Sequence, residues 1–367
     1  MGDIRAVTQE DIPGIAALYQ RVWGAPGTGP SAEFVRRLRA LLFESPWFDE
    51  QLPSLVYEED GAIAGFVGVL PRRMSLNGRP VQVAVTHSLL LDPASRNRLA
   101  GVSLLRQVFA GGQDLTLTDA ANQFGRRVWT GLGGVEVTLS SLIWIRALRP
   151  CGYLAQMLVR KRPRLRPVKF ALAPLCRAVD AVAARLPPAR IERAAAGLSG
   201  EEPGVEELLE SIRRLSAGRA LRPEYDTPSL RWVLEMAARK REYGGLRSRL
   251  VKNADGATLG HYLYYVKPGG VARVLQLAVS QSAIHRVLAH LFRDAWTRGA
   301  LAVSGQVAQA FVPELVENYC MFSCCCWVLV YSRDHALTDA VLRGDAFLTR
   351  LEGDWWLSLE ELAAGSA

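Results

Sequence analysis

One pattern occurs twice in this chain and restricts its fold more than any other feature. Residues 55–93, LVYEEDGAIAGFVGVLPRRMSLNGRPVQVAVTHSLLLDP, read as strand, Asp60-Gly61 turn, strand, Asn77-Gly78 turn, strand; residues 249–280 do the same with turns at Asp255-Gly256 and Gly269-Gly270. Asp-Gly and Asn-Gly pairs supply the positive φ angles that two-residue hairpin turns need, so each segment predicts a three-stranded antiparallel meander. Both copies share the string D-G-x-x-x-G, and in both the third strand feeds an amphipathic helix, SLLRQVFAGG in the first and AIHRVLAHLFRDAWTRGA in the second. A helix also precedes each copy. In the first, Thr8 is the expected N-cap, with Asp11 three residues on and Ile12, Ile15, Leu18 and Tyr19 along one stripe; in the second, Asp226 or Thr227 caps.

The repetition predicts an α+β chain with two domains, each a mixed, mostly antiparallel sheet flanked by helices. The expected boundaries are 1–150 and 222–367, with 151–221 a helical, basic connector. A chain of 367 residues is long enough for two cores, and 49% hydrophobic with 22% charged residues is a globular rather than a disordered composition. The sequence has no run of eighteen or more uncharged apolar residues, and its N-terminus carries acidic residues where a signal peptide would be basic and then apolar. A soluble, cytoplasmic protein is therefore expected.

The formal net charge of +8 is local. Residues 151–222 hold fourteen Lys and Arg against seven Asp and Glu, so this segment carries almost the whole excess. Its core is the run RKRPRLRPVK, Arg160 to Lys169, followed by a helical pattern with Leu172, Leu175, Cys176, Val179, Val182, Ala183 and Leu186 on one face. Such a helix either packs on a domain or lies on an anionic membrane surface, and its short, weakly basic polar face favours packing. Without interleaved aromatic residues or a reader motif, the run does not point to nucleic acid. Four of the six cysteines crowd into CMFSCCCWVLVY, Cys320 to Tyr331, without the spaced pairs of a metal site, so buried reduced thiols on a core strand are expected and no metal is implied.

The stretch LLLDPASRNRLAGVSLLRQVF, Leu89 to Phe109, passes from a strand through a basic turn into a helix. Unpaired amides and the dipole at a helix start attract phosphate, Arg96 and Arg98 add charge, and Gly101 lets the backbone approach an anion. This turn and the order of elements resemble the GCN5-related N-acetyltransferase superfamily, whose pyrophosphate loop reads Arg/Gln-x-x-Gly-x-Gly/Ala. Arg96 and Gly101 take its outer positions, and Leu99 stands at the inner glycine. NQFGRRVWTGLGG is similar to the family's Asn-led helix, with Asn122 at its start and Trp129 where many members carry a tyrosine; VEVTLSSLIWIRAL would then form the last two strands.

The resemblance implies an N-acyltransferase using acetyl-CoA or another acyl-CoA as co-substrate and an amine, on a small molecule or a protein, as acceptor. It implies that Arg96, Asn97, Arg98, Leu99, Ala100, Gly101 and Val102 hold the pyrophosphate. The amides of Leu89, Leu90 and Leu91 would meet the pantetheine arm and polarise the thioester, and Asn122 would contact the arm or cap its helix. It also implies that the second copy is degenerate, since SQSAIHRVL lacks the glycine and the arginine pair. An amine acceptor must lose a proton before it attacks, and His87, on the strand nine residues before Arg96, is the candidate base. His261, His285, His290 and His335 lie near no such loop. Asp114 and Asp119 read as solvated loop or cap residues, and Trp355 and Trp356 as closing a core. The alternative is a non-catalytic binding or scaffold protein whose altered loop has lost CoA.

Overall fold

The computed structural model describes residues 2–24, 29–162, 164, 174–176, 178–182 and 197–359. The strands are β1 Asp3–Ala6, β2 Leu55–Glu59, β3 Ala62–Leu76, β4 Arg79–Leu91, β5 Leu115–Ala121, β6 Val135–Glu136, β7 Leu142–Ala147, β8 Ser199–Glu201, β9 Leu221–Pro223, β10 Gly245–Lys252, β11 Thr258–Val266, β12 Val271–Val279, β13 Ala302–Gln306, β14 Met321–Cys324 and β15 Trp327–Tyr331. The α-helices are α1 Ile12–Trp23, α2 Ala32–Phe43, α3 Ala100–Phe109, α4 Gln123–Gly131, α5 Pro150–Lys161, α6 Val205–Ser216, α7 Thr227–Ala238, α8 Ile284–Thr297, α9 Val312–Glu317 and α10 His335–Leu342. Residues 174–176 and 178–182 are also helical. No helix among the described residues is long and apolar enough to cross a membrane.

Both meanders form, but of the two turn pairs in the second only Gly256 and Gly269 are left-handed, whereas the first follows the expected chemistry at every position. Asp60 and Gly61 have φ of 51° and 77°, Asn77 and Gly78 of 51° and 88°, so the β2–β3 and β3–β4 turns take two successive left-handed residues. The chain divides into two compact units, Met1–Ser141 with Gly218–Ala237 and Cys326–Ala367, and Leu142–Ala217 with Ala238–Cys325. These differ from the contiguous blocks 1–150, 151–221 and 222–367, because each sheet takes a strand from a distant part of the sequence.

In the first unit the sheet order is β1-β2-β3-β4-β5-β15-β6, with β9 on β3. Among its described strands β4 and β5 are the parallel pair, and Leu221 of β9 makes a single parallel bridge to Ala346. Side chains alternate between the faces of β3. Val67 and Val69 join Ala84 beneath Ala100, Leu104 and Val108 of α3, while Phe66 points the other way and meets Tyr19 of α1, whose ring packs edge-on against Phe34 of α2. In the second unit the order is β14-β7-β13-β12-β11-β10-β8, with β12 and β13 parallel and α8 burying Leu288, Leu291 and Phe292 against Trp144, Tyr262 and Val274.

Two expectations change here. The closing strands 135–148 do not stay together: β6 belongs to the first sheet, and β7 pairs with β13 and β14 in the second. The cysteine-rich segment is not one buried strand either. It breaks into β14, exposed throughout, and β15, whose Val328, Leu329 and Val330 are buried in the first unit; Cys324 and Cys325 are exposed, and Cys320 is buried.

Candidate active site

The site begins where β4 and β5 separate. They pair only through Val83–Val85 against Leu115–Leu117, whereas β4 stays bonded to β3 as far as Leu91. Beyond Val85 the β5-facing edge of β4 has no strand partner among the described residues. A bulge between Phe66 and Gly68 of β3 lies opposite Ser88, which takes a left-handed φ of 54°, and local twist of this kind widens such a gap. The result is a cleft of about 100 Å³ bordered by His87, Ser88, Leu90, Asn122, Trp129 and Asp354, with Trp23 and Phe124 also on its wall.

His87 is 4% exposed, with its ring over Gly68, where an added Cβ would come within 2.3 Å of Nε2, and edge-on to Phe66. Nδ1 lies 3.2 Å from Ser88 Oγ, while Nε2 is buried with no hydrogen-bond partner. Burial depresses the imidazole to about 4, so it is neutral across the physiological range. His261 in the second unit differs: Ser211 Oγ at 2.8 Å and Gln276 Oε1 at 3.0 Å engage both ring nitrogens, making it a core residue.

The basic turn forms a real helix start. Asn97 Oδ1 accepts from the Leu99 amide at 3.0 Å, its carbonyl accepts from Ala100, and its Nδ2 donates to Tyr57 Oη. Asn97 therefore shapes the turn. The Leu99 side chain is 66% exposed. Gly101 and Val102 fall in the first turn of α3, where amides have no carbonyl four residues back within the helix. A Cβ on Gly101 would meet Leu91 at 3.0 Å, so glycine lets α3 start close against β4. Arg96 is exposed and pairs with Asp60 at 2.8 Å; Arg98 is exposed beside it. Leu89 and Leu91 pack beneath α3, and Leu90 is buried. Asn122 caps α4, accepting from the Gly125 amide at 2.9 Å, while Trp129 is buried edge-on against Phe109.

Sequence reasoning missed a carboxyl pair. Asp119, expected to be solvated, is buried on β5. Asp354 Oδ1 accepts from the Asp119 amide at 2.6 Å and from Thr118 Oγ1 at 2.9 Å, and Asp119 Oδ1 accepts from the amides of Asp354 and Trp355. Burial pushes both upward, Asp354 the more because the Asp119 charge is beside it, while Arg350 favours an ionised Asp119. Of the two, Asp354 is therefore the carboxyl that more strongly favours its protonated form. Two acidic residues in the otherwise apolar EGDWW were the available signal; Trp356 next to them is 1% exposed and closes the core as expected.

A larger depression of about 660 Å³ borders Trp47, Arg73, Gln82 and Glu224 at the other end of β4. There Gln82 is hydrogen-bonded to Asp114 ahead of β5, so this depression lacks the free strand edge that the smaller cleft offers.

The architecture matches solved structures. A GCN5-related N-acetyltransferase from Anabaena variabilis superposes with a TM-score of 0.58 at 14% identity, covering 91% of this chain and 74% of that one. Another from Kribbella flavida gives 0.56 at 13%, over 91% and 72%. A conserved protein of unknown function from Enterococcus faecalis gives 0.57 at 10%, over 90% and 72%. The chain shares its fold with GCN5-related N-acetyltransferases. No family model and no curated protein matches the sequence.

Proposed function

We propose that the first unit is an acyl-CoA-dependent N-acyltransferase that moves an acetyl group from acetyl-CoA to a primary amine. The observation that carries this reading is the parted β4–β5 edge with the unpartnered Nε2 of His87 on its wall. The first-turn amides of α3, at Gly101 and Val102, with Arg96 and Arg98, suit a pyrophosphate; the edge at Leu89, Leu90 and Leu91 suits an amide-bearing arm such as pantetheine. Asn97, Leu99 and Ala100 hold the turn in shape, and Asn122 holds α4 at the rim.

In the proposed reaction the amine nitrogen attacks the thioester carbonyl, the C–S bond breaks, and the amine proton passes to His87 Nε2. The proton that His87 takes up is then returned to the departing thiolate, a task closed to Trp129. The second unit takes the role of a degenerate copy: its turn after β12 leads into α8 without a glycine, and its buried histidine is fully bonded.

The competing reading, a non-catalytic binding module, is favoured by one feature. Leu99 projects from the turn where the family carries glycine, and its amide is already bonded to Asn97. Calorimetric titration with acetyl-CoA and with free CoA separates the two. The acyltransferase reading expects both to bind, with binding lost in Arg96→Glu, whose partner Asp60 would then add repulsion. No binding of either ligand by the unmodified protein would give the site to the binding-module reading.

A further inference from the structure

We infer that the second unit carries a docking face for an anionic lipid bilayer, built from α5 and the helical residues 174–176 and 178–182. The sequence favoured a helix packed onto a domain, and the structure leaves its apolar residues uncovered. Leu175, Val179 and Val182 are 60%, 48% and 62% exposed, at the i, i+4, i+7 spacing of one helix face. On α5, Leu154, Met157 and Leu158 are exposed in the same way, at i, i+3, i+4. Leu172, Ala183 and Leu186 of the expected stripe lie outside the described residues.

Two contacts fasten the second helix to the start of α5. Asp180 is 5% exposed and accepts from the amides of Cys151 at 2.8 Å and Gly152 at 3.0 Å, at the start of α5. Cys151 and Cys176 face each other with sulfurs 2.9 Å apart. Both contacts turn the Cys176–Asp180 side of the second helix toward α5 and leave its other side to solvent.

Charge decides what covers this face. The described residues of 150–182 hold four Lys and Arg against one acidic residue, Asp180, whose carboxylate is taken up by the α5 cap. Arg160, Lys161, Arg162 and Arg164 are all exposed at the C-terminal end of α5, beside Leu158. Apolar side chains flanked by cations of one sign, with no accessible counter-charge in the segment, suit a surface that is apolar a few ångströms down and anionic on top. A protein partner would need matching acidic groups; a bilayer containing phosphatidylserine supplies both properties. This inference does not depend on the acyltransferase reading.

The test is flotation of the full chain with vesicles of phosphatidylcholine alone and with added phosphatidylserine. The protein is expected to float with the anionic vesicles at low salt and to be released as salt rises, since the screening length falls from about 10 Å at 0.1 M to about 3 Å at 1 M. Leu158→Glu and Val179→Glu, both at exposed positions, should each reduce partitioning about tenfold or more while thermal midpoint and circular dichroism stay unchanged; burying one such side chain is worth about that factor. Arg160→Glu with Arg162→Glu should lose the preference for anionic vesicles. Failure to float at low salt, or equal flotation with neutral and anionic vesicles, overturns the inference. So does a concentration-dependent dimer by light scattering that Leu158→Glu abolishes, which would assign the face to a second copy of the chain.

Discussion

The ionisation of His87 makes the sharpest demand on the site. Packed over Gly68 and against Phe66, with 4% of its surface exposed, the ring is depressed to about 4 from an ordinary value near 6.5. The unfolded chain takes up the proton first as pH falls, so the folded state loses stability between about pH 6.5 and pH 4 and is unaffected above that window. With those two values the loss at pH 4.5 is about 2.5 kcal/mol. Replacing His87 by Gln removes the titrating group at similar size. Whatever its cost at pH 7.5, the stability gap between the variant and the unmodified protein should close by roughly 2–3 kcal/mol at pH 4.5. His261, also depressed to about 4 by burial, is present in both proteins and cancels. Urea unfolding at the two pH values measures the gap, and the imidazole carbon–proton resonances of isotope-labelled histidine report the titration itself. A His87 resonance moving with a midpoint near 6.5, or a gap independent of pH, would refute the argument.

Other consequences are open to measurement. Gly68→Ala places a Cβ within 2.3 Å of the His87 ring, so it should cost about 1–3 kcal/mol in denaturant unfolding and depress transfer activity by moving Nε2. Asp354→Asn keeps an acceptor for Thr118 but removes a carboxyl that folding pushes upward; since such a group weakens the folded state increasingly as pH rises above its unfolded value, the variant's relative stability should climb from pH 4 to pH 8, and a flat difference would contradict the upward shift at Asp354. A fragment of residues 1–150 should fail to fold. It lacks Val328, Leu329 and Val330 of β15, buried side chains worth roughly 1.5–3 kcal/mol each, against a typical domain stability of about 5–15 kcal/mol. A well-dispersed amide spectrum from that fragment would show that the β15 position is dispensable.

Much of the local structure and half of the candidate site are legible in the amino-acid order. Asp60-Gly61 and Asn77-Gly78 can hardly do anything but turn, because few other pairs accept two left-handed residues in succession. The same locality explains why the entry to α3, the cap at Asn122 and the place of His87 on β4 could be read directly: each depends on neighbours within a few positions. The Asp119–Asp354 pair could not, since its members are 235 residues apart and each reads alone as a surface acid.

Sequence alone thus determined the two meanders, their helices and the helix start suited to an anion. Tertiary structure decided that β15 rather than β7 completes the first sheet, that the cysteine-rich segment is cut between two sheets, and that two carboxyls are buried side by side at the cleft. The physical reason is one of range. Turn and cap energies are set by dihedral angles of adjacent residues, whereas strand partnership and desolvation are set by whatever the finished fold brings alongside, which a pattern of period 2 or 3.6 does not encode.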